Sequence, residues 1–305
     1  MANLRTFILA GLFGSLPFIT AQAQSPGAPA PTAAKDEAES NQNAFLAAVE
    51  KLGWTRQGVG KLGTRAEVAI PEGYRFTDGN GTRGLMKMTR NFPTEKELGM
   101  LASEDAGTWI IFEWEDSGYV NDDDKDKLDP DATLKSLKEG TAASNEERKR
   151  LGMGELHVVG WAVPLRYNDQ TKNLEWATRL RNETGSESIN YNTRLLGREG
   201  VMEVTLVCTP EEMEALLPQY QSIISTFQYV QGQTYAEYKA GDKIAKYGIT
   251  GLVAGGAAFA AGKMGLFGKL GLLFGKLGKG VIVIVIAVGV GIKTLFTKLF
   301  GRHAA

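Results

Sequence analysis

The sequence predicts an α+β protein: an antiparallel sheet with a strand meander packed by helices, followed by a C-terminal transmembrane helical hairpin. Three observations predict it. Four strand-like segments, Leu156–Val163, Leu174–Leu180, Ser188–Leu195 and Gly200–Cys208, succeed one another with no helical pattern between them. Strands joined in that way pair antiparallel. Helical periodicity stands on either side of the strand-rich part. Residues 243–305 are apolar, glycine-rich and free of acidic side chains.

Taken in order, the chain opens with a targeting segment. Arg5 precedes the apolar run Thr6–Thr20, and Ala21-Gln22-Ala23 fits a signal-peptidase site, so residues 1–23 read as a signal peptide. The run is short for a retained span of about 20 residues. Residues 24–42, rich in Pro and Ala, read as a disordered leader. Residues 43–242 form the extracytoplasmic domain, and 243–305 the membrane anchor.

Within the domain, Asp36–Leu52 carries helical spacing, and Asp131 can cap a helix running to about Leu151. Thr209-Pro210-Glu211-Glu212 has the form of a capping box, with Thr209 as N-cap, Pro210 at the first helical position and Glu212 closing the box. Met213, Leu216, Leu217, Tyr220, Ile223 and Ile224 continue that helix. Tyr235–Tyr247 reads as a last helix leading into the anchor. Further strands are expected at Ala66–Ile70, Arg83–Thr89 and Thr108–Glu115, and turns at Asp78-Gly79-Asn80-Gly81 and Asn168-Asp169-Gln170.

Charge divides the chain. Of 34 Lys and Arg, nine follow Asp242 and one is Arg5; all 35 Asp and Glu lie between Gln24 and Asp242. Residues 24–242 therefore carry 24 bases against 35 acids, a net charge of −11, while the tail carries +9. A basic apolar tail suits a bilayer with anionic headgroups. An acidic domain is a poor partner for nucleic acid, whose phosphates need a basic face. Cys208 is the single cysteine, so no internal disulfide supports the fold. Its alternation with Met202, Val204 and Leu206 makes it a buried strand residue.

In the tail, Gly265–Gly280 says LFGKLG twice. At helical spacing Lys269, Lys276 and Lys279 form one edge, Leu and Phe a neighbouring face, and glycines a third. Gly251, Gly255, Gly268, Gly271, Gly275 and Gly278 are the candidate membrane packing seam, since glycine lets helices approach closely in lipid. The expected spans are about 248–268 and 280–300, with the lysine edge on the cytoplasmic side. One span with an interfacial amphipathic helix is the rival arrangement, and a soluble helical pair the plain alternative.

Candidate chemistry is sparse. Asn121–Asp131 looks like a calcium loop, but counting from Asp122 puts Lys127 where the loop needs Gly and Thr133 where it needs Glu. A solvated acidic turn is the plainer reading. Glu113, Glu115 and Asp116 could serve acid/base work in an envelope hydrolase. His157 alternates with apolar residues, as a core or half-buried histidine does, and has no metal-ligand spacing around it. No nucleophile elbow, phosphate loop or dinucleotide fingerprint occurs. A polar patch is the better candidate: Asn190, Asn192 and Arg194 on one strand face, Glu175 and Arg179 on the face of the strand before it. Trp161, Arg166 and Tyr167 add a recognition surface.

Several blocks carry a resemblance: Gly118–Lys125, Asn145–Gly152, Val158–Asp169, Leu174–Ala177, Ile189–Gly200 and Tyr235–Gly256 occur together and in order. This combination resembles the domain-of-unknown-function 2167 family of bacterial membrane-anchored proteins, over roughly Gly53 to Gly256. The resemblance implies an exported, membrane-anchored protein and no particular activity. Where the family pattern runs Pro-Pro-His-Tyr-Asp, this chain has Pro164-Leu165-Arg166-Tyr167-Asn168, which removes the side chains a histidine or carboxylate mechanism there would use. The expectation is a binding or scaffolding module of the cell envelope without catalytic residues, cofactor or metal. Its partners would be the lipid bilayer and another envelope or membrane protein, with self-association through the glycine-rich hairpin. Membrane remodelling by the basic tail is a further alternative.

Overall fold

The computed structural model describes residues 43–89, 91, 93–104 and 108–253. The expected signal peptide and leader (1–42) and the anchor from residue 254 on lie outside them. Residues 43–50 form helix α1. Then come β1 (Val59–Leu62), β2 (Ala66–Ala69), β3 (Tyr74–Asp78), α2 (Gly79–Met88), β4 (Glu97–Ser103) and β5 (Trp109–Glu115). Helix α3 (Pro130–Arg150) leads to β6 (Leu156–Asn168), β7 (Asn173–Asn182), β8 (Glu187–Leu196) and β9 (Val201–Cys208). Helix α4 (Met213–Ser225), β10 (Gln228–Tyr229) and α5 (Ile249–Val253) complete the order.

The fold is α+β with antiparallel sheets. A seven-stranded sheet runs β3-β4-β5-β9-β8-β7-β6, so two meanders, β3–β5 and β6–β9, are joined where β5 pairs with β9. The expected four-strand meander is β6–β9. A small sheet, β1-β2-β10, covers one face together with α4: Leu62, Val68, Tyr220 and Ile223 pack on Phe76, Leu101, Phe112, Val204 and Leu206. Val49 of α1 and Leu85 and Met86 of α2 pack on the other face, over Met100, Trp109, Ile111 and Val207. Leu134 and Leu137 of α3 and the residues of α5 cover the β6–β7 end of that second face. Both faces of β5 and β9 are therefore covered, as in strands at the centre of a layered core, with Glu113 and Glu203 the charged exceptions on the second face.

Several local expectations are corrected. Arg83–Thr89 is not a strand but part of α2. Asp78 caps that helix by accepting from the Gly81 N–H at 2.9 Å, so Asp78–Gly81 opens a helix rather than closing a hairpin. The helix after Thr209 begins at Met213, with Glu212 as its N-cap. The expected box is instead a turn in which the Thr209 hydroxyl donates to the Glu212 carboxylate at 2.9 Å. Helix α3 is capped by Asp129, which accepts from the Asp131 and Ala132 N–H groups, not by Asp131. The expected helix Tyr235–Tyr247 is one 3₁₀ turn, Tyr235–Glu237, closed by a Thr234/Glu237 capping box. His157 is exposed and lies 3.3 Å from Glu155. Cys208 is fully buried, and burial pushes its thiol up to about 12.

The start of α2 has no room for a side chain at position 81. A Cβ on Gly81 would meet the Thr77 hydroxyl and lie 2.4 Å from the Leu52 carbonyl oxygen. Overpacking of this kind costs about 1–3 kcal/mol. Gly81→Ala is expected to lower equilibrium unfolding stability by that amount without changing the denaturant slope; an unchanged midpoint would show that the α1–β3–α2 corner is looser than described.

Candidate functional site

The eight residues of the expected partner surface do not share a surface. Register decides it. Trp176 pairs with Asn192, Thr178 with Asn190 and Leu174 with Arg194, whereas Glu175 pairs with Thr193 and Arg179 with Ile189. Directly paired residues lie on one face of a sheet. Asn190, Asn192 and Arg194 thus lie on the face covered by α1, α2, α3 and α5. Glu175 and Arg179 lie on the opposite one. Strand β6 carries three register shifts, which put Trp161 opposite Thr178 but Val163 opposite Ala177. Trp161 and Tyr167 consequently join the first face and Arg166 the second.

Most of these side chains are spent on one another or on neighbours. The Arg166 guanidinium donates to Glu175 at 2.9 Å and to the Tyr191 hydroxyl at 3.0 Å, and Tyr191 donates to the same carboxylate at 2.9 Å. Burial, then the Glu175 charge, pushes the Tyr191 phenol up to about 12. Arg179 pairs with Glu187 at 3.0 Å, and Arg181 pairs with the same carboxylate. Arg194 stands 3.1 Å from Glu203 with its guanidinium 4.9 Å from the Trp176 ring centre. Asn192 accepts from the Thr205 hydroxyl at 3.3 Å.

A row of carboxylates crosses the middle of the first face. Glu97, Glu113 and Glu203 are direct partners across β4, β5 and β9, and Arg194 ends the row on β8. Glu97 and Glu113 are buried. Both approach one hydroxyl: Thr94 Oγ1 lies 3.0 Å from Glu97 and 2.8 Å from Glu113. Glu97 also accepts from the Thr94 backbone N–H at 2.5 Å, so Thr94 ties the two carboxyl groups together. Burial first, then the charge of Glu203, pushes the Glu113 carboxyl up to about 8. That shift favours the neutral form of Glu113 beside Glu203. Glu115, on the same face, pairs with Lys96, and Asp116 is exposed near Lys243. Among the described residues no group of three His, Cys, Asp or Glu is arranged to hold a metal ion. Sequence reading found Glu113 and missed Glu97, Glu203 and Thr94, because only the register brings them together.

A second cluster forms where the chain leaves the domain. The acidic stretch after Asn121 is structural rather than merely solvated. Asp122 accepts from the Tyr167 hydroxyl at 2.7 Å, the Lys172 ammonium at 2.9 Å and the Tyr235 hydroxyl at 3.3 Å. Burial pulls its carboxyl upward, but these bonds outweigh it and hold it below the usual range. Asp124 accepts from the Ile249 and Thr250 N–H groups and the Thr250 hydroxyl, capping α5 from a distant loop. Tyr119 pairs its backbone with Ile244 and stacks on Tyr235 and Tyr238 at 4.5 and 4.3 Å. Gly118 is required there: its φ is +88, and a Cβ would lie 2.6 Å from the Lys243 carbonyl oxygen. Arg198 binds Asp242 through two bonds of 2.6 and 2.7 Å, which holds that carboxylate down at about 2.

This clamp extends the packed domain past Asp242. Ile249, Leu252 and Val253 are buried against Leu174, Trp176, Leu196 and Val201. Burial of such side chains contributes about 1.5–3 kcal/mol each, well above the 0–1 kcal/mol of an exposed ion pair. The expected span 248–268 therefore begins inside the protein core. Of the candidate seam, Gly251 is buried in α5, and Gly255, Gly268, Gly271, Gly275 and Gly278 lie outside the described residues. Among the described residues no helix is long and apolar enough to cross a membrane.

The Glu113 arrangement has a signed pH dependence. The folded carboxyl binds its proton more tightly than the unfolded one, so stability falls as pH rises from about 4.5 to about 8 and then levels. Glu113→Gln, which mimics the protonated acid, removes that fall. The stability of the variant minus that of the parent, measured by denaturant unfolding, is expected to grow across this window. A gap constant with pH would show that Glu113 is ionised in the fold.

The geometry can now be set beside known proteins. No curated protein matches the chain. Among solved structures, cyanobacterial PsbP (CyanoP) from Synechocystis sp. PCC 6803 is similar at 11% identity, over 58% of this chain and 93% of that one, with a TM-score of 0.34. The Saccharomyces cerevisiae Ran-binding protein Mog1p is similar at 10% identity, over 57% and 93%, with a TM-score of 0.27. A family described as "Protein of unknown function (DUF2167)" matches residues 55–289, which takes in the sheet, the exit clamp and most of the glycine-rich tail. The blocks that pack together in the clamp, Gly118–Lys125 and the stretch from Tyr235, are among those that carried the resemblance, and the chain belongs to the DUF2167 family.

Proposed function

We propose that this chain is a membrane-tethered, non-catalytic binding or scaffolding module of the cell envelope, whose exported domain is held rigidly to the start of its own anchor. The observation that supports it is the clamp: Asp124 caps α5, and Tyr119, Tyr235 and Asp122 fix the chain that leads there. A flexible linker would need none of these contacts. Residues 254–305 then continue with seven basic and no acidic side chains, which suits a bilayer. Burial of Ile249–Val253 leaves 254–268 short for a span of about 20 residues. That favours Gly280–Phe300 as the span and the lysine-edged helix before it as an interfacial segment.

The hydrolase reading has less support. A general acid must reach the group it protonates, and Glu113 is enclosed by Thr94, Glu97 and Glu203. Glu115 is neutralised by Lys96.

Membrane fractionation tests the tether. The full chain is expected to stay in the pellet through an alkaline carbonate wash. A chain ending at Val253 should move to the soluble fraction with its unfolding midpoint unchanged. A full chain stripped by carbonate would contradict the tether. Cross-linking both forms in native membranes tests the scaffold: the reading predicts a defined partner for the full chain, and the absence of any partner from both forms would count against it.

A further inference from the structure

We propose that the loop Tyr238–Lys246 is a membrane-facing surface that rests on anionic lipid headgroups and sets how the domain stands on the bilayer. This rests on the tether reading above and names the part of the domain that meets the lipid.

The loop shows a pattern that the rest of the described surface lacks. Among the described residues, six large hydrophobic side chains are exposed. Val59, Leu151, Val159 and Val230 are scattered, whereas Tyr238 (36% exposed) and Ile244 (58% exposed) belong to one short loop. Scattered exposed apolar residues need no explanation; an isoleucine pinned outward does. Tyr119 donates its N–H to the Lys243 carbonyl at 2.8 Å and accepts from the Ala245 N–H at 2.8 Å, which fixes the backbone on both sides of Ile244. The Tyr238 ring is held by Tyr119. Side chains held rigidly outward have already lost the entropy that docking would cost.

Charge identifies the partner. Lys239, Lys243 and Lys246 are exposed in the same loop. Its one acid, Asp242, is bound by Arg198, and the neighbouring Asp116 is matched by Lys243. A positive patch thus stands out beside residues 24–242, whose net charge is −11. Lysines near an anionic leaflet are attracted to it, and tyrosine favours the headgroup level. Continuity points the same way. Helix α5 starts three residues after Lys246, and the apolar basic remainder follows at once. The acidic remainder of the domain is repelled by the same headgroups, so this patch would give it one preferred orientation.

The test uses the full chain in vesicles of phosphatidylcholine, with and without phosphatidylglycerol. A polarity-sensitive dye is placed at Ile244→Cys or, as control, at Thr184→Cys in the β7–β8 turn, which the length of β7, about 30 Å, separates from the β6–β7 turn whose Lys172 binds Asp122. Spin-labelled lipid is expected to quench the dye at 244 several-fold more than at 184, and more strongly with phosphatidylglycerol. Lys239→Glu with Lys246→Glu should abolish that difference while the chain stays on the vesicles. A vesicle-bound chain with an unquenched dye at 244 overturns the inference and leaves the tether standing. Equal quenching with and without phosphatidylglycerol, unmoved by the double variant, overturns the headgroup assignment. A chain that does not join vesicles at all overturns the tether and this inference together.

Discussion

The pairing of β5 with β9 is the constraint on which the rest of the structure depends. It is the single ladder that turns two meanders into one sheet. Because it sits at the centre, Ile110, Phe112, Val204 and Leu206 face the small sheet and α4, while Trp109, Ile111 and Val207 face α1 and α2. Loss of this ladder would open two cores at once. The same pairing sets Glu113 against Glu203 in a buried row. Like charges directly opposite one another are unfavourable, and burial with the Glu203 charge pushes the Glu113 carboxyl up to about 8, which lessens the repulsion in that row.

Legibility in the sequence followed burial. Strands β5 and β9, covered on both faces and mostly apolar, are visible as Thr108–Glu115 and Gly200–Cys208. The β6–β7 turn is visible in Asn168-Asp169-Gln170. Strands β3 and β4 were not, since Arg75 and Thr77 point into the fold and Gly99 breaks the apolar pattern of β4. Helix α2 was misread because Leu85, Met86 and Met88 also fit a strand, and its cap at Asp78 resembles a turn. Register was invisible. Pairing Glu175 with Thr193 rather than Asn192 moves a whole set of side chains to the other face, and the bulges of β6 shift Trp161 relative to Val163. The candidate surface therefore divides between the two faces of the sheet.

The exit clamp was legible in part. Its blocks stood out as long, separated motifs, but nothing in the spacing showed that Asp124 would cap a helix 125 residues later in the chain. Acidic residues that read as a solvated turn proved to be hydrogen-bond hubs. The consequence for function is mechanical. The chain through Val253 is packed into the domain and so is coupled to it.

That coupling is the central claim, and hydrogen exchange of the full chain tests it most directly. If the chain through Val253 belongs to the domain, the Ile249 and Thr250 amides exchange as slowly as those of Val204 and Leu206 in β9, because both open only when the sheet does. Exchange at Ile249 and Thr250 as fast as at the exposed Ala240 and Gly241 would contradict it, and would make the segment before the tail a free linker.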